Sequence, residues 1–170
     1  MRTMLITAVL TASLSGYLQA QSTNADATRA AELIAQATQI TLLKDRGKLA
    51  RLYEQAGNLL PVTDPRTSSS FVISANAYYL EGKLDKAAAM LEKSVAAATA
   101  RGANTETAES MVKAIFVAAA QRDAVKFHSL KDRAMSFVVH NDLPEFDRIR
   151  ILRQLTVPLA ASAAPTSNGR

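Results

Sequence analysis

The chain has 170 residues, enough for one domain of ordinary size, and 48% of them are hydrophobic, many of these alanine. It contains no cysteine, which excludes disulfides, thiolate metal sites, cysteine nucleophiles, iron–sulfur clusters and a lipid-modified N-terminal cysteine. Tryptophan is absent, aromatics are 5%, and the formal charge of +5 is spread along the chain. That composition argues against an aromatic-lined ligand pocket and against the clustered basic stripe that nucleic acids select.

Residues 1–20 read as a targeting segment. Arg2 supplies a positive start, Met4 to Leu14 a short apolar run, and Ser15 to Ala20 a polar end closing on a small residue. This is the layout of a secretory signal peptide, with cleavage expected after Ala20. The alternative, an uncleaved anchor helix, would need the ~20 apolar residues that span a bilayer, and the run is shorter than that. No later segment is apolar enough to span. The expected mature protein therefore lies outside the cytoplasm, in a bacterial periplasm or secreted.

The rest of the chain carries helical periodicity. Asp26 is expected to cap a helix running to about Leu43, with Ala30, Leu33, Ile34, Ala37, Ile40 and Thr41 on one face. Lys44 to Gly47 reads as a turn. Leu49, Leu52, Tyr53, Ala56, Leu59 and Leu60 form the next stripe, which stops before Pro61. Pro61 to Thr67 reads as a connection, and Ser68 to Ser70 as hydroxyl caps of a third helix carrying Phe71, Ala75, Tyr78 and Tyr79. Gly82 breaks it. Leu84, Ala87, Ala88, Leu91, Val95 and Ala98 define a fourth helix, ended by Gly102 in the left-handed conformation.

Asn104 is expected to cap the fifth helix, with Glu106 and Glu109 near its positive end. Ala108, Met111, Val112, Ile115, Phe116 and Ala119 follow at helical spacing. After a turn at Gln121-Arg122-Asp123, Ala124, Phe127, Leu130, Ala134, Phe137 and Val138 line a sixth helix. Asn141 to Pro144 starts a seventh, with Phe146, Ile149, Leu152 and Leu155 as its stripe. Residues 157–170 are rich in Ala, Ser and Pro and are expected to be disordered. The reading is an all-α domain over 26–156, of seven helices, six of them in three antiparallel hairpins.

Turns near Gly47, Gly82 and Gln121 are spaced by about 35 and then about 39 residues, near the 34 of the tetratricopeptide unit. In the middle hairpin, Ala75, Tyr78, Gly82, Ala87 and Ser94, with the phrase Glu81-Gly82-Lys83-Leu84-Asp85-Lys86-Ala87, resemble that family's pattern. The outer hairpins depart from it. Leu52 stands where alanine is expected after Gly47, and the third turn has no glycine. The resemblance implies a TPR-like α-solenoid of stacked hairpins, in which the first helix of each pair lines a concave face that binds a protein segment. The inward residues it implies are Ser69, Val72, Asn76, Tyr79 and Leu80 in the middle unit and Glu109, Lys113 and Phe116 in the third. The family's basic clamp for a chain-terminal carboxylate is not recognisable. The last helix resembles the terminal cap, leaving Arg148, Arg150 and Arg153 facing solvent.

No catalytic constellation stands out. His128 and His140 lack further ligands at helical spacing, Ser68 to Ser70 are not set in a nucleophile elbow, and none of the six glycines is paired into a phosphate loop. Glu81, Asp85 and Glu92, interleaved with Lys83, Lys86 and Lys93, are spaced like exposed pairs along a helix. The expectation is a non-enzymatic interaction module or scaffold of the cell envelope. No metal, cofactor or nucleic acid is implied, and the partner is a protein or peptide. The alternative is a structural bundle forming a homo-oligomer through alanine-rich faces, Ala87 to Ala89 and Ala96 to Ala98.

Overall fold

A computed structural model describes residues 24–40 and 45–156. The expected leader (1–20), the start of the first turn at Lys44 and the expected tail (157–170) lie outside the described residues. Among the described residues the fold is all-α, with seven helices and no strand: α1 (24–38), α2 (Arg46–Leu59), α3 (Pro65–Leu80), α4 (Leu84–Ala100), α5 (Asn104–Ala120), α6 (Ala124–His140) and α7 (Glu145–Thr156). None of them is long and apolar enough to cross a membrane. From α2 onward each helix packs chiefly on its neighbours in sequence, and α5 also touches α3 and α7.

Several helix starts differ from the sequence reading, each for a local reason. Asp26 lies inside α1 instead of capping it, because residues 24 and 25 are already helical. Asp45 caps α2, its carboxylate accepting the Lys48 N–H at 2.9 Å, so Gly47 is a buried residue of the first helical turn and not a hinge. Its lack of a side chain admits a neighbour: a Cβ there would stand 2.6 Å from Glu81 Oε1. Asp64 caps α3, accepting the Arg66 N–H at 2.8 Å, with Pro65 pre-set for the first helical position. Arg66 also donates from its guanidinium at 2.7 Å and holds the Asp64 carboxyl below the usual carboxylate range. The connection thus ends at residue 64. Ser68 and Ser70, expected as exposed caps, are buried inside the helix. Ala103, not Asn104, is the N-cap of α5, and the Asn104 side chain instead donates to the Asp142 carbonyl at 2.9 Å.

The three turns from α3 to α6 share one geometry. Gly82 (φ 73°), Gly102 (φ 68°) and Arg122 (φ 58°) each sit in the left-handed region. At each, the following N–H reaches back to a helix carbonyl: Lys83 to Tyr78 at 2.9 Å, Ala103 to Ala98 at 3.0 Å, Asp123 to Ala118 at 3.1 Å. The turn residue's own N–H bonds Tyr79, Thr99 or Ala119 in the same order. This is the Schellman arrangement, which satisfies carbonyls a helix end would otherwise leave bare. The starts of α4, α5 and α6 fall 20 residues apart, and each of these helices has 17 residues.

Burial follows the same spacing. Ser74, Ser94, Ala114 and Ala134 are all buried, as are Tyr78, Ala98, Ala118 and Val138. The small residues Ser74, Ser94, Ala114 and Ala134 let successive helices approach closely. One part of the core gathers α1 to α4 with Ala114 and Val117 of α5; the other gathers Met111, Val112 and Ile115 of α5 with α6 and α7. Helix α5 therefore faces both. On α7 the expected stripe is only half used. Leu155 is buried beside Ile151, whereas Phe146 and Ile149 lie on the opposite face, exposed.

The shared turn makes a test. A Cβ at Gly82 would meet nothing within 4 Å, so only the backbone conformation opposes a side chain there. Gly82→Ala is expected to lower stability by about 1 kcal/mol, and Arg122→Gly to raise it by about the same amount, in urea unfolding. Unchanged midpoints in both variants would contradict the role given to the left-handed residue.

Candidate functional site

Helical spacing puts Ser69, Val72, Asn76 and Tyr79 along one face of α3, and Glu109, Lys113 and Phe116 along one face of α5. Between these helices lies a cleft of about 200 Å³. Ser69, Val72 and Ile73 form its α3 wall, Glu106, Glu109 and Lys113 its α5 wall, and Ser68, Ser94 and Ser110 also line it. The structure therefore brings together Ser69, Val72, Glu109 and Lys113 of the expected residues. Asn76 and Tyr79 are exposed farther along α3 and do not line the cleft. Leu80 is likewise exposed, and its carbonyl accepts from Arg46 at 2.9 Å. Phe116, 45% exposed, does not line this cleft but a small recess with Phe127 and Leu155, between α5, α6 and α7.

The three buried serines form a seam. Ser94 Oγ donates to the Ser68 carbonyl at 3.1 Å and lies 2.9 Å from Ser110 Oγ. With the single Ser94 proton on that carbonyl, Ser110 is the donor in the second contact. Ser68 Oγ donates to Glu106 at 2.9 Å and accepts from Arg101 at 3.1 Å, and Arg101 pairs with the same Glu106. Three helices are thus joined through short hydroxyl side chains.

The charges around the cleft are unequal. Glu106 is matched by Arg101. Glu109 is matched by Arg150 at 2.6 Å, which also pairs with Asp147 at 2.9 Å. Arg150 is therefore half-buried and engaged with α5, contrary to the solvent-facing expectation. Arg148 is also half-buried and donates to the Asn141 carbonyl at 3.4 Å, and only Arg153 is exposed. Lys113 makes no hydrogen bond or ion pair among the described residues. Its ammonium is the uncompensated charge of the cleft.

The interleaved charges of α4 act mainly between elements and not along one helix. Asp85 accepts from Gln121 at 2.7 Å, Glu92 meets Lys126 at 3.7 Å, and Lys93 donates to Asn58 at 2.9 Å with its ammonium over the Phe71 ring. Partners about 35 residues away in the chain come opposite these groups, whereas spacing within a helix suggests local pairing. Of the alanine-rich faces, Ala87, Ala88, Ala97 and Ala98 are buried within the fold, while Ala89 and Ala96 are exposed.

A second hollow escaped the sequence reading. It has about 460 Å³, lies between α4 and α6 over α5, and is mostly apolar, with Val95, Ala96, Met111, Ala114 and Leu130 among its walls. Its signal in the sequence is the run of short side chains Ala96, Thr99 and Ala100, which leave α4 low on that side. His128 stacks edge-on to Phe127, and His140 Nδ1 lies 2.8 Å from the Ser136 carbonyl at the end of α6. No group of three metal-ligating side chains occurs among the described residues. Comparison of the chain with protein-family models, with curated proteins and with solved structures gives no match.

Adjacent tyrosines on α3 have opposite settings. Tyr79 is 42% exposed, whereas Tyr78 is 1% exposed and donates to Glu54 at 2.7 Å. Burial, and then the hydrogen bond to Glu54, push the Tyr78 phenol up from 10.0 to about 12. The folded protein keeps a proton that the unfolded chain releases near pH 10, so the Tyr78 contribution is whole below pH 10. It declines as pH rises from 10 towards 12. Tyr78→Phe is expected to cost about 1 kcal/mol at neutral pH. It should also abolish that alkaline loss and the late component of the phenolate absorbance titration. A titration curve identical to that of the parent protein would contradict this assignment.

Proposed function

We propose that the chain is an exported, non-enzymatic interaction module of tetratricopeptide-like type, an adaptor or scaffold of the cell envelope that holds a protein segment on its α3/α5 face. The observation that carries this reading is the cleft itself, where a hydroxyl (Ser69), an apolar wall (Val72 and Ile73) and an unpaired ammonium (Lys113) converge. A hollow of about 200 Å³ is below the usual range of small-molecule pockets but suits one or two side chains of a longer ligand. Such a segment would run on over the exposed Asn76 amide and Tyr79 ring, which can meet a peptide backbone and an amphipathic side chain respectively. With Glu106 and Glu109 both matched by arginines, the side chain favoured beside Lys113 is acidic.

The layout of residues 1–20 supports export, with mature chains beginning at Gln21. The two-helix pitch of 40 residues exceeds the 34 or so of the tetratricopeptide unit, so the likeness rests on the middle hairpin and its turn. A second reading, association with copies of the same chain, is favoured by a different surface, the outer face of α7.

The test places a photo-crosslinking residue at Val72 in the exported chain and exposes it to envelope extract. One protein is expected to be captured from this position, with capture weakened about tenfold by Lys113→Glu, as for loss of about 1.4 kcal/mol. Asn76→Ala combined with Tyr79→Ala should weaken it further. If every captured protein is retained by all of these variants, the cleft is not the binding face.

A further inference from the structure

Helix α7 is apolar on two opposite faces. Ile151 and Leu155 are buried against α5 and α6. Half a helical turn away, Phe146 is 77% exposed and Ile149 is 54% exposed. A stacked array of helices ordinarily ends in a helix whose outer face is polar. This one ends the described fold with its largest aromatic side chain in water.

The charges flanking that apolar pair have an order. Glu145, at the start of α7, and Arg153, in its last turn, are both exposed, and neither side chain makes an ion pair or hydrogen bond among the described residues. The outer face therefore runs acidic, apolar, apolar, basic from Glu145 to Arg153. Such a face is its own complement when two copies meet antiparallel. A two-fold axis beside Ile149 sets each Arg153 opposite Glu145 of the second copy, four residues to either side of the axis. The two Phe146 rings and two Ile149 side chains then cluster at the centre. Each half of the contact repeats the other, as an isologous interface requires.

We infer that a second copy of this chain docks antiparallel on the outer face of α7, through Phe146 and Ile149, in a register fixed by Arg153 and Glu145. The surface is separate from the α3/α5 cleft, and the inference does not rest on the function proposed for that cleft. One helix face on each side buries less than the roughly 1,200 Å² of a standard interface, so the dimer is a weak, concentration-dependent one. The paired charges serve register more than affinity.

Sedimentation velocity on the purified full chain, over a range of concentrations, tests this. A reversible monomer–dimer equilibrium is expected. Phe146→Glu should leave a monomer with unchanged helical circular dichroism, since the side chain is already in solvent. Arg153→Glu alone and Glu145→Lys alone should each weaken the dimer about tenfold by setting like charges against each other. Mixing these two variants should restore association, because the mixed dimer has opposite charges at both ends. Any of these results overturns the inference: a monomer at every concentration, a dimer indifferent to Phe146→Glu, or a mixture no more associated than its components. Recovery of a different protein, and not a second copy, from a cross-linker at Ile149 does the same.

Discussion

Three residues in the left-handed backbone region, Gly82, Gly102 and Arg122, reverse the chain at the ends of α3, α4 and α5 and so fix the direction in which α4, α5 and α6 leave. The reversal takes three residues and leaves 17-residue helices 20 residues apart. Equivalent positions on successive helices then point into the fold together. Ser74, Ser94, Ala114 and Ala134 are small because each lies where a helix presses on its neighbour. A bulky side chain at any one of them would overfill a contact that the next helix has no freedom to relieve. Arg122 shows that the turn is imposed by its surroundings as well as by glycine, since the same back-reaching hydrogen bonds form around it.

Close packing through small residues brings polar atoms inside, and the seam of Ser68, Ser94 and Ser110 is how the fold accommodates them. Each hydroxyl finds a partner on another helix, so no cost of burying an unsatisfied donor arises there. Such bonds depend on direction and distance, whereas apolar contacts tolerate sliding. The seam therefore pins the register of α3, α4 and α5 beneath the cleft. The architecture and the candidate site are in this sense one construction: the serines that hold the helices together line the space between them.

Much of the fold was legible in the sequence. The apolar stripes gave seven helices, and Gly82 and Gly102 marked their turns. What remained hidden has physical causes. Gly47 reads as the end of a turn, yet here it lies in the first turn of α2 and admits the Glu81 side chain. Ser68 and Ser70 read as caps because serine is a good cap, yet Asp64 with Pro65 starts the helix earlier and carries the serines inside. Phe146 and Ile149 read as core because they share a helical stripe, and no local signal tells which of two apolar faces on α7 turns inward. The 20-residue spacing of Gly82 and Gly102 was present in the sequence, but the absence of glycine at 122 interrupts it. Of the site residues, Ser69, Val72, Glu109 and Lys113, which the tetratricopeptide resemblance implied, line the cleft. Their separation from Asn76, Tyr79 and Phe116 depends on how α3 and α5 approach, which no pattern within a single helix encodes.

The dominance of contacts between sequence neighbours also bears on how the chain assembles. Loops that must close are short, so the entropy lost before favourable contacts form is small and folding is expected to be fast for a chain of this length. Local opening will not be uniform. On α6 only Ala134 and Val138 are buried, whereas α5 is enclosed by helices on several sides. Amide protons should exchange first at the C-terminal end and last in the centre. The walls of the α3/α5 cleft belong to that slowest part, so a ligand entering there would meet a surface already in its final shape.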